Sequence, residues 1–392
     1  MVWSSVKLGD VCQIDKEQFR NGQLPYVGME DIEGHTGRFL GELEPKSVAS
    51  STFKFTEEHV LYGRLRPYLN KVLVPEFEGH CSSEIFPLRP SGKLDRKFLY
   101  YWLSSERVVA AIDATCTGAR MPRANVKEVL NFDFCLPSIS EQKSIVAILD
   151  QAFADIDKAR ALTEQNLKNA RELFEGYLQQ VFSQRGEGWV EKTLGDAVVV
   201  ERGSSPRPIK KFQTDSGDGV NWVKIGDAKE GQKYIHKTKE QITKEGATKS
   251  RFVDVGDFIL SNSMSFGRPY IMAIQGYIHD GWFVLRLPEC IDPDYFYYLL
   301  LSPFLKDQFH RLAAGAIVKN ISGDLVKKAI LPIPPIGKQK EIASKLDVLS
   351  HEIEKLEGLY NQKAHQIEEL KKSLLQKAFS GELTRDSEEV AA

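Results

Sequence analysis

The sequence has no long apolar run. No stretch among its 392 residues approaches the roughly 18 apolar positions that suggest a membrane span. Met1–Lys7 carries no apolar core of signal-peptide length, so a cytoplasmic chain with no membrane partner is expected. Cysteine is scarce. The five present (Cys12, Cys81, Cys116, Cys135 and Cys290) form no C-x-x-C pair. That speaks against a zinc ribbon or a disulfide framework and fits a reducing compartment. There is also no excess of one charge: 52 Lys+Arg stand against 54 Asp+Glu, a formal net of −2. A simple nucleic-acid footprint would be basic, so composition alone argues against DNA binding.

Catalytic signatures are missing as well. There is no Asn/Asp-Pro-Pro-aromatic motif for amino methylation, no glycine-rich loop for S-adenosylmethionine and no G-x-x-x-x-G-K-[ST] for ATP. His80-Cys81 lacks a second ligand pair, so no metal is expected there. Asp31 with Glu44-Pro45-Lys46 matches a nuclease carboxylate set only loosely, and Gly217-Asp218-Gly219 reads as a turn. No catalytic residue and no cofactor is expected.

What is present is a long internal repeat. Shifting the chain by 197 aligns Asp95 with Asp292, Tyr100-Tyr101 with Tyr297-Tyr298 and Gly118-Ala119 with Gly315-Ala316. The same shift aligns Pro137 with Pro334, Gln142-Lys143 with Gln339-Lys340, Leu149-Asp150 with Leu346-Asp347, and Phe182-Ser183 with Phe379-Ser380. At drifting offsets, Leu8-Gly9-Asp10 parallels Leu194-Gly195-Asp196 and Pro67-Tyr68 parallels Pro269-Tyr270. Such a repeat means two similar modules and two similar surfaces.

Each half has a mixed front and a helical back. The fronts alternate short β-rich runs such as Phe258-Ile259-Leu260 with Gly and Pro signals. The backs follow Pro137 and Pro334-Pro335 and carry a mostly apolar stripe at spacings of 4 and 3. In the first back these are Ile145, Leu149, Ala152, Ile156, Ala159, Thr163, Asn166, Ala170, Leu173 and Tyr177. In the second they are Ile342, Leu346, Leu349, Ile353, Leu356, Tyr360, Lys363, Ile367, Leu370 and Leu374. That spacing predicts a coiled coil. Asn166 and Lys363 interrupt the two stripes at matching places, either to fix register or with their tips reaching out to water. Paired antiparallel, the two helices would form a spacer with one head at each end.

These features resemble the specificity subunit of type I restriction-modification enzymes over essentially the whole chain. The resemblance is carried by the two Leu-Gly-Asp starts, by Tyr62-Gly63-Arg64-Leu65-Arg66-Pro67-Tyr68-Leu69-Asn70-Lys71, by Leu136–Lys143 with Ile333–Lys340, and by the endings Phe182-Ser183 and Phe379-Ser380-Gly381-Glu382-Leu383. Two differences stand out. Lys338 replaces Glu141 at the second helix entry, and Asn262–Tyr270 replaces the Arg-rich first loop.

The resemblance implies an α+β fold. Two α/β target recognition domains (1–138 and 186–335) would be separated by an antiparallel two-helix coiled coil (139–185 and 336–381), as a pseudo-twofold internal repeat with a tail at 382–392. It implies a non-catalytic subunit that reads a bipartite site in double-stranded DNA. It also implies docking of two methyltransferase subunits, through Gln142, Gln339, Phe182 and Phe379, and assembly with restriction/translocase subunits. The competing reading is a coiled-coil adaptor with two protein-binding heads and no DNA reading.

Counted by segment, only residues 189–336 are net basic, at +3. Local clusters matter more than these totals. In the first half the candidate DNA contacts are Arg64, Arg66, Tyr68, Asn70, Lys71, Arg120, Arg123 and Asn125. In the second they are Arg202, Arg207, Lys210, Lys211, Asn262, Ser263, Arg268, Lys319 and Asn320. Arg can bridge guanine and Asn adenine in the major groove, while Lys and Tyr hold phosphates. Alternatively, Arg64 and Arg66 pair with Glu57 and Glu58, and Tyr68 and Tyr270 belong to the core.

A near-neutral chain should bind DNA weakly alone and tightly with its partner subunits. Titration across a salt series should show the complex losing affinity steeply with rising salt. Salt-independent binding would favour the protein adaptor.

Overall fold

The computed structural model describes residues 3–20, 22–118, 120–229, 231–262, 267–313 and 322–384. The chain divides into two compact units, one within residues 1–164 and 361–392, the other within 165–360. Ser263, Lys319 and Asn320, with the repeat element Gly315-Ala316, lie outside the described residues.

Both units are built to one plan. In the first, Cys12–Ile14, Ile85–Pro90, Val60–Gly63 and Val72–Leu73 form one sheet in that order. Gln18–Phe19, Thr52–Phe55, Gly79–Ser82 and Tyr26–Val27 form a second. In the second unit, Val199–Arg202, Trp282–Arg286, Phe258–Ser261, Pro269–Met272 and Tyr234–Ile235 form the counterpart of the first sheet. The other sheet runs Gln213–Thr214, Glu240–Ile242, Val220–Val223, Gly276–Ile278 and Arg251–Val253. Both units share one parallel pairing, Tyr26–Val27 with Gly79–Ser82 and Val220–Val223 with Gly276–Ile278, and the second adds another, Tyr234–Ile235 with Pro269–Met272. Val60–Gly63 and Phe258–Ser261 are buried along their whole length, which explains why they read as continuous apolar runs.

The Leu-Gly-Asp starts form one-turn helices, Leu8–Val11 and Leu194–Ala197. Leu8 and Leu194 are fully buried. Asp10 accepts the Lys7 N–H at 3.1 Å, and a Cβ on Gly9 would lie 3.2 Å from the Leu130 carbonyl oxygen. Just before each turn, Ser4–Lys7 pairs antiparallel with Asp133–Leu136, and Val190–Thr193 with Ile330–Ile333. Each strand pair thus closes a head at the point where its long helix begins.

The two long helices run over Ile139–Ser183 and Ile336–Ser380. In the first unit Ile145 and Leu149 share a core with Leu375 and Ala378, and Arg160 meets Glu368 at 3.3 Å. In the second, Leu178 and Phe182 share a core with Ile342 and Leu346, and Arg171 meets Glu357 at 2.6 Å. Rising numbers on one helix meet falling numbers on the other, so the pairing is antiparallel within each unit.

The contact stripe departs from the expected one midway. Asn166, Leu173, Lys363 and Leu370 are exposed, and the half-buried positions are Leu167, Phe174, Ala364 and Lys371. The stripe moves on by one residue through two successive steps of four, 159–163–167 in the first helix and 349–353–357 in the second, where Leu356 is exposed and Glu357 half-buried. A straight helix drifts about 20° per heptad against a strict seven-residue repeat, and a four-residue stutter absorbs that drift. Neither polar interruption sits in the seam, so register is not fixed by Asn166 or Lys363.

Each head is fastened to its long helix by a buried glutamine. Gln142 is 0% exposed. Its Oε1 accepts the Asp95 N–H at 2.8 Å, and its Nε2 donates to the Lys93 and Pro137 carbonyls at 2.9 Å each. Gln339 repeats this with the Asp292 N–H at 2.8 Å and the carbonyls of Cys290 and Pro334 at 3.1 and 2.8 Å. Asp95 and Asp292 in turn cap the helices Arg96–Ser104 and Pro293–Leu301. One turn or two further along, the Tyr101 and Tyr298 hydroxyls donate to Asp150 and Asp347 at 2.6 Å. Burial and the adjacent carboxylates push both phenols upward in pKa.

Gln142→Ala strands three buried polar groups. It should lower the stability of the first unit by about 2–4 kcal/mol, measured by denaturant unfolding. An unchanged midpoint would show that the amide is dispensable.

Candidate DNA interface

In the first unit the Arg-rich loop connects Val60–Gly63 to Val72–Leu73 across a short 3-10 turn, Pro67–Leu69. Left-handed residues bracket this turn, Arg66 at φ 52° and Asn70 at φ 45°. Asparagine tolerates that region better than most residues. The turn lifts Tyr68 to the surface at 47% exposure, whereas Tyr270 is buried at 3%. Of the two tyrosines at the matching Pro-Tyr positions, only Tyr270 is a core residue.

A second loop joins the first. The Arg66 N–H donates to the Pro122 carbonyl at 2.8 Å, and the Ala124 N–H to the Arg64 carbonyl at 2.9 Å. Glu84, in the turn between Gly79–Ser82 and Ile85–Pro90, clamps the two side by side. Its carboxylate takes Arg64 Nε at 2.9 Å and Arg123 Nε and Nη2 at 3.0 and 2.9 Å. The Arg64 guanidinium also lies 5.0 Å from the Phe86 ring centre. The Arg123 hydrogen bonds, with those of Arg64, hold the Glu84 carboxyl below the ordinary glutamate range. Arg66, Tyr68, Arg120 and Met121 stand exposed around this clamp.

The partner of Arg64 is therefore Glu84 rather than Glu57 or Glu58. Two further candidates are turned inward, and a third is engaged at the surface. Asn70 is 6% exposed and donates to the Ser104 carbonyl at 3.1 Å. Lys71 Nζ donates to the Met29 carbonyl at 2.6 Å. Asn125 donates to Glu128 at 2.5 Å. His80 and Cys81 belong to the core, His80 between Thr52 Oγ1 at 3.0 Å and the Lys46 carbonyl at 2.9 Å. Burial pushes the Cys81 thiol upward in pKa.

The second unit gathers its candidates at the equivalent strand turn, around Asp280. Its carboxylate accepts Ser205 Oγ at 2.6 Å and Arg207 Nη2 at 3.3 Å. Its carbonyl accepts Asn262 Nδ2 at 2.7 Å and Arg202 Nε at 3.4 Å. The Ser205 hydroxyl leads in holding the Asp280 carboxyl below its usual range. Arg207 remains 80% exposed. Lys210 and Lys211 are exposed on the turn Ile209–Lys211, with Lys211 Nζ 6.0 Å from the Phe212 ring centre. Asn262 is 1% exposed and holds the loop from within, so it offers no amide at the surface. Arg268 is half-buried, and its N–H donates to Ser261 Oγ at 3.1 Å.

The expected docking residues prove to be fasteners. Gln142, Gln339 and Phe182 are buried at 0%, 1% and 0%. Phe182 packs edge-on against Tyr295 at 5.4 Å, and the half-buried Phe379 against Phe98 at 5.2 Å. Side chains whose partners all lie inside the unit present little to a second protein.

Glu84 and Asp280 do not stand out in a sequence pattern of cations. The available signal was an acid between two strands in the aligned runs Gly79–Phe86 and Gly276–Phe283.

The family model for the type I restriction modification DNA specificity domain matches residues 2–166 and 186–363. The chain is 22% identical over 423 residues to the type I restriction enzyme MjaVIII specificity subunit of Methanocaldococcus jannaschii, covering 97% of this chain and 93% of that protein. It is 26% identical over 190 residues to the EcoDI specificity subunit of Escherichia coli, covering 47% of this chain and 42% of the relative. A solved structure concerned with assembly and conformational transition of the type I R-M system superposes with a TM-score of 0.84 at 22% identity, covering 97% of this chain and 98% of that one. The HsdS subunit from Thermoanaerobacter tengcongensis gives 0.62 at 21% identity, covering 97% of each chain. Among the described residues no helix is long and apolar enough to cross a membrane. With the family model covering both halves and the fold shared over the whole length, the chain belongs to the type I restriction-modification DNA specificity family.

Proposed function

We propose that this chain is the non-catalytic DNA-reading subunit of a type I restriction-modification complex in the cytoplasm of a bacterial or archaeal host. Each head reads one half of a bipartite site in double-stranded DNA. The helix pair sets the gap between the halves. Two methyltransferase subunits dock on the chain, and restriction/translocase subunits join through the complex. The observation that carries this reading is the duplicated cluster of cations at one strand turn in each head, around Glu84 and around Asp280. Two similar surfaces on one chain suit a target with two parts.

Within the first head, Arg66 and Tyr68 are exposed while Asn70 is buried. Arg66→Ala and Tyr68→Ala should each weaken binding of the complex to its site by about 1–3 kcal/mol, with an unchanged unfolding midpoint. Asn70→Ala should do the reverse, lowering the midpoint first. Equal binding by the Arg66 variant and the native chain would remove this surface from the interface.

The overall reading is tested by selecting bound sites from random DNA with the chain and its methyltransferase partner, then repeating with matched seven-residue insertions in both long helices. These go between Arg160 and Arg171 and between Glu357 and Glu368, where ion pairs mark the register. Each insertion lengthens its helix by about 10 Å. The gap should change and the half-sites should stay the same. One continuous short site, or altered half-sites with a constant gap, would overturn the reading.

A further inference from the structure

The clamp residue is not a cation. Glu84 sits in the middle of the most basic cluster of the first head, with its side chain 22% exposed between Arg64 at 31% and Arg123 at 37%. A carboxylate beside a phosphate backbone repels it, so an acid at this place costs affinity for any DNA. What the acid does for the structure is visible. It occupies one guanidinium from each of the two loops and fixes the loops against each other. Otherwise the loops are linked by the backbone bonds of Arg66 and Ala124 and by the bridge Leu65–Arg123, while Thr117–Arg123 closes the second loop on itself. The Arg64 guanidinium also lies over the Phe86 ring. The second head has an acid in its corresponding turn, Asp280, bound to Ser205 and Arg207.

We propose that Glu84 is a positioning residue for DNA reading. It withdraws Arg64 and Arg123 from general phosphate attraction and uses them as struts, which orders the two loops before DNA arrives. The exposed Arg66, Tyr68 and Arg120 are thereby presented in one arrangement. Discrimination gains because the side chains that meet DNA need not be ordered on binding. Attraction to non-cognate DNA falls because the carboxylate offsets one of the cluster's two positive charges and holds both guanidinium groups in place. The inference rests on the DNA-reading proposal above, and names the residue in the first head that trades affinity for selectivity.

The two effects oppose each other, and that gives the test a signature that structural damage does not produce. The full chain with its methyltransferase partner is presented with random DNA, as native protein, as Glu84→Gln and as Glu84→Asp. Glu84→Gln removes the negative charge and one of the two acceptor oxygens, loosening both guanidinium groups. Its affinity for non-specific DNA should rise several-fold and its salt dependence should steepen. Base preference in one half-site should meanwhile relax on the order of tenfold. Preference in the other half-site should stay unchanged, which certifies folding and assembly within the same experiment. Glu84→Asp keeps the charge, so its affinity for non-specific DNA should stay near native and its preference should lie between the other two.

Unchanged selection and unchanged non-specific affinity in Glu84→Gln would overturn the positioning role. So would a loss of all binding in both variants with the fold intact. Should Glu84→Gln lose both half-sites, Glu84→Asp decides: preference must fall in one half-site with the other intact, or the proposal fails. If the native complex itself shows no base preference, the DNA-reading proposal falls instead, so the two failures are distinct.

Discussion

The Gln142 amide ties together three segments that the chain brings from different places: the approach to a head helix at Lys93 and Asp95, the end of the head at Pro137, and the first turn of a long helix. Its acceptor meets an N–H and its donors meet two carbonyls, a pattern that only a primary amide of this length satisfies. A carboxylate would place an oxygen against those carbonyls, and an alanine would leave all three groups unpaired. Buried unpaired polar groups cost about 1–3 kcal/mol each, more than a typical made hydrogen bond contributes. The orientation of head on helix therefore depends on this contact in the first unit and on Gln339 in the second. Asp95 and Asp292 extend the grip by capping the head helices. From the other side, Phe379 and Phe182 reach those helices from the far end of the opposite long helix.

The helix pair is held by its seam rather than by its charges. Arg160 and Glu368 have side chains 53% and 52% exposed. Such pairs contribute at most about 1 kcal/mol. Burying one Leu or Ile contributes about 1.5–3 kcal/mol, and the seam repeats this turn after turn. The ion pairs distinguish one alignment from another, and the apolar stripe supplies the stability. The stripe changes step at Leu167 and at Glu357, so neither helix keeps the strict seven-residue repeat that would demand continued supercoiling.

In each head an acid stands within the cluster of arginines. Arg64 and Arg123 are spent on Glu84, while Arg207 leans on Asp280. A surface meant to be selective gains from such partners, because every unpaired cation attracts all DNA sequences alike. The formal net of −2 is thus compatible with DNA recognition once the pairing inside each cluster is counted.

Much of the architecture was already legible in the sequence. The shift of 197 announced two like modules, and the absence of proline between Ile139 and Ser183 and between Ile336 and Ser380 left those segments free to be helical. The paired Leu-Gly-Asp starts marked the matching entrances to the two halves. These are local or periodic properties, and a linear pattern records them. The tertiary structure alone decided which way a polar side chain faces. Asn70 and Tyr68 stand two residues apart in one loop, yet one is buried and the other exposed, because left-handed backbone at Arg66 and Asn70 turns the loop between them. Gln142 looked like a surface marker and is a core fastener, since its partners at Lys93 and Asp95 lie 49 and 47 residues away. Glu84 gained its role only when strand pairing brought it beside Arg64 and Arg123, 20 and 39 residues distant. Contacts across such separations depend on how sheets and loops close in space, and that is the part of this protein its sequence pattern did not determine by itself.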